Sequence, residues 1–145
     1  MTLSPKLEKR FFLQDAETLA RRLLGKILVR KGKKGVLAGR IVETEAYVGP
    51  DDQASHAFKG KTPRTKIMFG PAGRLYVYLI YGKYHCLNIV CEKQGYPAAV
   101  LIRRLKPVYG IKGKVDGPGK LCAALGITRR ENNLNLCQNH EIYLK

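Results

Sequence analysis

Acidic residues are scarce in this chain. Eleven Asp and Glu stand against 27 Lys and Arg among 145 residues, a formal net charge of +16, so the field around the folded molecule is strongly positive and a polyanion is its natural partner. Long apolar runs are missing as well. No stretch approaches the length of a transmembrane helix and no basic amphipathic helix dominates, which sets a membrane surface aside in favour of nucleic acid. The opening residues, MTLSPKLEKRFFLQD, lack the uninterrupted apolar core and small-residue cleavage site of a secretory signal, so the cytoplasm is the expected compartment.

Paired cysteine spacing is absent too. Cys86, Cys91, Cys122 and Cys137 form no CxxC, and His56, His85 and His140 are scattered. No metal site is expected, and the cysteines read as small buried apolar side chains in a reducing compartment. There is no internal repeat and no low-complexity tail. With 45% hydrophobic residues, the chain fits one domain over 1–145.

Ser4 and Pro5 can open a short helix. Asp15 can cap a second, with Leu19, Ala20, Leu23 and Leu24 as its apolar stripe and Gly25 as its stop. From Lys26 the pattern becomes a β-hairpin, KILVRK and VLAGRIVETEAY joined by glycine and lysine. Residues 48–73 show neither a period of two nor one of 3.6 and read as a long functional loop. Three strands follow, RLYVYLIYG, YHCLNIVCE and AAVLIRRLK. Then come an irregular segment after Pro107, a short helix KLCAALGI ended by Gly126, and a possible last strand, EIYLK, whose partner the sequence does not reveal. Basic residues cluster at Arg21–Arg22, Lys31–Lys34, Lys59–Lys66, Arg103–Arg104, Lys112–Lys114 and Arg129–Arg130. Six such clusters with few acidic neighbours suggest a phosphate-facing surface.

Two constellations could carry chemistry. In IVETEAYVGPDDQASHAFKGKTPR, strand alternation places Glu43, Glu45 and Tyr47 on one face. A carboxylate there can act as a general base toward water, with aromatics to hold a planar substrate; the plainer reading is an exposed strand face paired with lysines. In RLYVYLIYGKYHCLNIV, Tyr76 and Tyr78 share a face and Tyr81 reaches the turn before Gly82. Tyrosines favour strands in any protein, but in one this basic they also offer stacking platforms for bases.

The ordered blocks RIVETEAYVGPDDQASHA, TPR, MFGPAGRLYVYLIYGKYHCLNIV, AAVLIRRLKP and GPGKLCAALGI closely resemble the alkyladenine (3-methyladenine) DNA glycosylase family, from about Arg10 to the C-terminus. That resemblance implies a mixed α/β (α+β) single domain, a curved antiparallel sheet surrounded by short helices. It implies a monomeric, monofunctional enzyme without cofactor. Such an enzyme flips alkylated or deaminated purines (the 3-methyladenine, 7-methylguanine, hypoxanthine and ethenoadenine class) out of double-stranded DNA and hydrolyses the N-glycosidic bond, leaving an abasic site. By the same resemblance Glu45 is the catalytic general base, and Arg103 helps hold the nucleophilic water and the adjacent phosphate. Tyr47, His56 and Tyr78 line the pocket for the flipped base, Asn88 disfavours the amino group of normal guanine, and Tyr81 is the intercalating wedge. The implied location is bacterial-type and nucleoid-associated, or nuclear in a eukaryote.

The sequence departs from the family in two places. The stretch between Pro107 and Gly117 is shorter than its usual counterpart. Family members also continue beyond the point corresponding to EIYLK, into a segment that supplies a backbone carbonyl to the catalytic water. A slow enzyme is the expectation. The alternatives are a catalytically weak or inactive binder of lesion or duplex DNA, and a basic RNA-associated module resting on charge and tyrosines alone.

Overall fold

The computed structural model describes residues 6–33 and 35–145, so the helix start expected at Ser4 and Pro5 lies outside the described residues. The element order is α1 (Lys9–Phe12), α2 (Ala16–Leu23), β1 (Ile27–Gly32), β2 (Gly35–Tyr47), β3 (Leu75–Ile80), β4 (Tyr84–Cys91), β5 (Ala98–Tyr109), α3 (Pro118–Leu125) and β6 (Ile142–Leu144). The strands form one curled antiparallel sheet in the order β3-β4-β5-β2-β1-β6. This is the α+β arrangement expected, and EIYLK finds its partner on the outer edge of β1, with Val29 opposite Tyr143.

Helix α2 begins where Asp15 accepts a hydrogen bond from the Thr18 amide at 3.1 Å, closing one of the donors that a helix start leaves open. Its Leu19, Ala20 and Leu23 are buried. Leu24 departs from the expectation: it is the C-cap, in an extended conformation, and its side chain is exposed. Leaving the helical path one residue early turns it off the apolar stripe. Helix α3 starts with Pro118 in its first turn and ends at Gly126, whose φ of +66° suits the left-handed stop.

Helices α2 and α3 pack on one face of the sheet. Leu19, Leu23, Ile41, Val77, Leu87, Ile89, Val100, Ile102, Leu121 and Leu125 belong to the larger core there. Alternate residues of the same strands turn to the opposite face, where Tyr76, Tyr78, Cys86, Val90, Ala99 and Leu101 make a second, smaller cluster with Ala57 and Met68 of the loop. The long segment after β2 is held down by two 3-10 turns, His56–Lys59 and Lys66–Phe69. All four cysteines are free, three of them buried. Among the described residues no helix is long and apolar enough to cross a membrane.

Candidate functional site

The site is built on the face carrying the smaller cluster, and two irregularities in the β2–β5 ladder shape it. Ile41 pairs with Leu105, but the next pairs are Glu43 with Arg104 and Thr44 with Ile102. One extra residue is thus accommodated first on β2, at Val42, and then on β5, at Arg103. The core confirms the count, since Ile102 and Leu105, three apart, both reach the larger core. Such bulges re-aim side chains. Here the bulged Arg103 brings its Nη1 to 3.3 Å from Glu45 Oε1. Glu43 instead pairs with Arg104, at 3.8 Å. It lines a separate depression with Lys106 and Val115, so the two glutamates that alternation puts on one face serve different neighbours.

Glu45 accepts a second hydrogen bond, from Tyr47 Oη to Oε2 at 2.7 Å. Burial and the Glu45 contact push the Tyr47 phenol well above its usual range, so Tyr47 stays a donor. A carboxylate offers about four acceptor positions. Two are filled, and its side chain is about half exposed, at 44%, which leaves Glu45 fixed in orientation yet open to a water molecule.

Tyr47 also borders a small cavity of about 10 Å³, room for roughly one water molecule, together with His56, Met68, Tyr76, Tyr78 and Asn88. The loop that delivers His56 is pinned at its start. Asp52 accepts from the amides of Val48 and Ala54, each at 3.0 Å, Tyr96 Oη donates to Val48 O, and Ser55 caps the 3-10 turn. The His56 ring meets Tyr78 edge-on with centroids 4.4 Å apart, and its Nδ1 lies 3.1 Å from Tyr76 Oη. Burial, and after it the positive charge of Arg64, lower the His56 pKa, so the ring is neutral at pH 7. Asn88, buried, donates from Nδ2 to Tyr76 O at 3.3 Å.

The structure therefore brings Glu45, Tyr47 and Arg103 into one chain of contacts, and Tyr47, His56, Tyr78 and Asn88 around one cavity. Tyr81 stands apart. It caps the β3–β4 hairpin, 92% exposed, with φ of +55° beside Gly82 at +62° and Lys83 N donating to Ile80 O. Positive φ at both central residues is the pattern of primed hairpin turns, and a bulky residue held there is an outlier that points to a use. Tyr76, read from the sequence as sharing a face with Tyr78, joins the site, and two participants were not singled out there: Met68 and Arg64, whose guanidinium lies 5.3 Å over the Tyr78 ring. Tyr76 was signalled by its alternation with Tyr78. Met68 and Arg64 sit in a loop without period and gave no such signal.

A model of the methylpurine-DNA glycosylase family matches residues 10–145. The chain belongs to that family. Relatives bearing the name "Putative 3-methyladenine DNA glycosylase" come from bacteria and an archaeon. The protein of Anaeromyxobacter dehalogenans strain 2CP-C is 51% identical over 140 residues, covering 97% of this chain and 68% of its own length. That of strain 2CP-1 is 55% identical over 128 residues, covering 88% and 61%. That of Methanocella arvoryzae is 49% identical over 154 residues, covering 97% and 77%. The chain spans about two thirds of the length of these methylpurine-DNA glycosylase relatives.

Proposed function

We propose that this chain is a monofunctional DNA glycosylase that removes alkylated or deaminated purines from duplex DNA by hydrolysis. The observation that carries the reading is Glu45, a carboxylate oriented by Tyr47 and Arg103 beside an aromatic-lined cavity. As the C1′–N bond breaks, its electron pair leaves with the base and the sugar becomes cationic. Water adds its oxygen to C1′ and gives its proton to Glu45, whose negative charge also stabilises the cationic sugar. The product is an abasic site with the strand intact, because no amine takes part.

In this reading Tyr47, His56 and Tyr78 contact the flipped base, Asn88 screens its edge, Arg103 steadies Glu45 and the water, and Tyr81 fills the gap in the stack. His56 and Tyr78 at 4.4 Å are in direct contact, whereas a base held between two rings needs about 7 Å, two van der Waals spacings. The base therefore stacks between Tyr47 on one side and the joined His56–Tyr78 pair on the other, and the small cavity widens as it enters. Flipping costs a few kcal/mol, least for damaged bases, and this stacking offsets it. The protein acts as a monomer on double-stranded DNA, in the cytoplasm of a bacterial-type cell.

The test uses labelled duplexes containing hypoxanthine, ethenoadenine or 7-methylguanine, each developed with and without alkali. Strand breaks that appear only after alkali are expected. Glu45→Gln is expected to lower release by at least about 10³-fold, the scale of losing a positioned acid–base group together with its charge, while binding to the same duplex persists. Breaks without alkali, or a Glu45→Gln variant as active as the parent, would overturn the assignment.

A further inference from the structure

Arg64 occupies an unusual place. It belongs to the TPR block, in a loop fixed by reciprocal bonds: Thr62 N donates to Thr65 Oγ1 at 2.9 Å, Thr65 N to Thr62 Oγ1 at 3.1 Å, and Thr65 Oγ1 to Gly60 O at 3.1 Å. From there its guanidinium lies over the Tyr78 ring, and its charge is felt at both the Tyr76 hydroxyl and the His56 ring. The cation of Arg103 at the other side of the site is answered by Glu45. Arg64 takes part in none of the ion pairs among the described residues.

We infer that Arg64 is a specificity-determining residue of this site, one whose uncompensated charge favours electrically neutral purine lesions over cationic ones. The inference rests on the glycosylase reading above. A cationic base, such as a 7-methylated guanine, starts at +1 and ends neutral as it accepts the electron pair of the broken bond. A neutral base starts uncharged and becomes negative. Bond breaking adds the same negative charge to both, so Arg64 assists cleavage of both once bound. Capture from solution differs by a full unit of charge, repelled in one case and not in the other. A unit charge about 8 Å away at an effective dielectric constant of about 40 changes the balance about five-fold.

The experiment is a competition between two labelled duplexes, one with 7-methylguanine and one with hypoxanthine, whose product ratio reads the ratio of kcat/KM values. Arg64→Gln is expected to raise the 7-methylguanine to hypoxanthine ratio about five-fold, whereas Arg64→Lys, which keeps the charge, holds it within about two-fold of the parent. A parallel measurement records affinity for undamaged duplex. If Arg64→Gln weakens all duplexes alike and leaves the ratio in place, Arg64 is a phosphate contact and the inference fails. If Arg64→Lys shifts the ratio as far as Arg64→Gln, charge is not the cause and it fails again. A parent protein that releases neither base overturns the glycosylase reading itself, whereas release of both at an unmoved ratio overturns only the role of Arg64.

Discussion

His56 keeps one edge toward solvent while its Nδ1 turns in to Tyr76 and its ring packs on Tyr78. Half-burial disfavours the charged imidazolium, and Arg64 adds repulsion, so the folded pKa lies below the ordinary 6.5. The sign of the linkage follows from that direction. Above pH 6.5 both folded and unfolded chains hold a neutral ring, and the fold keeps its full stability. As pH falls through 6.5 and on to the lowered folded value, the unfolded chain takes up a proton that the folded chain refuses, and stability drains away. Urea midpoints measured from pH 7.5 down to 5 are therefore expected to fall more steeply for the parent than for His56→Gln. Equal slopes for the two would remove His56 from this account. The neutral ring also matters for the proposed chemistry, because an imidazolium would add a second cation beside Arg64 and repel a positively charged base further.

At the scale of elements, the β3–β4 hairpin shows a trade between stability and use. Tyr81 contributes almost no burial, and a left-handed conformation costs an L-residue about 1–2 kcal/mol. Tyr81→Gly relieves that strain and gives back about 0.5–1 kcal/mol through the freer unfolded chain. The expected outcome is a protein about 0.5 kcal/mol more stable, read from its denaturation midpoint, yet about ten-fold slower in releasing hypoxanthine through loss of a stacking platform. A less stable variant would show that the turn is not strained. This hairpin was legible in the sequence, as were the Asp15 cap, the α3 stop at Gly126 and the succession of strands along the chain, because each is written in local periodicity or turn chemistry; the pairing of β2 with β5 and of β6 with β1 was not. The bulges at Val42 and Arg103 were not. A bulge is a mismatch between two strands nearly sixty residues apart, and neither strand alone records it; only family resemblance pointed to Arg103. The same holds for Met68 and Arg64, which reach the cavity because Asp52, Ser55 and Thr65 tie an aperiodic loop to the sheet.

The whole molecule carries +16, and the described members of all six basic clusters except Arg103 and Arg104 are exposed without an acidic partner within ion-pair distance. The cavity is different in kind, lined by neutral aromatics, an amide and a thioether. On the proposed reading, most of the affinity comes from the basic surface, and discrimination from the cavity with Arg64 beside it. Each phosphate neutralised by Lys or Arg releases counterions, so about six contacts give a slope of log K against log salt near −5, a loss of about 10³-fold between 50 and 200 mM. In the proposed mechanism, the step that tells a neutral lesion from a normal base exchanges stacking in the duplex for stacking on Tyr47 and the His56–Tyr78 pair, and it neutralises no further phosphate. Two lines are therefore expected when binding of a hypoxanthine duplex and of an undamaged duplex is titrated with salt: both steep, and parallel. A lesion line steeper by about one unit would mean that flipping recruits an additional cation onto the backbone. Arg64, already poised beside the cavity, would be the first residue to test for that contact.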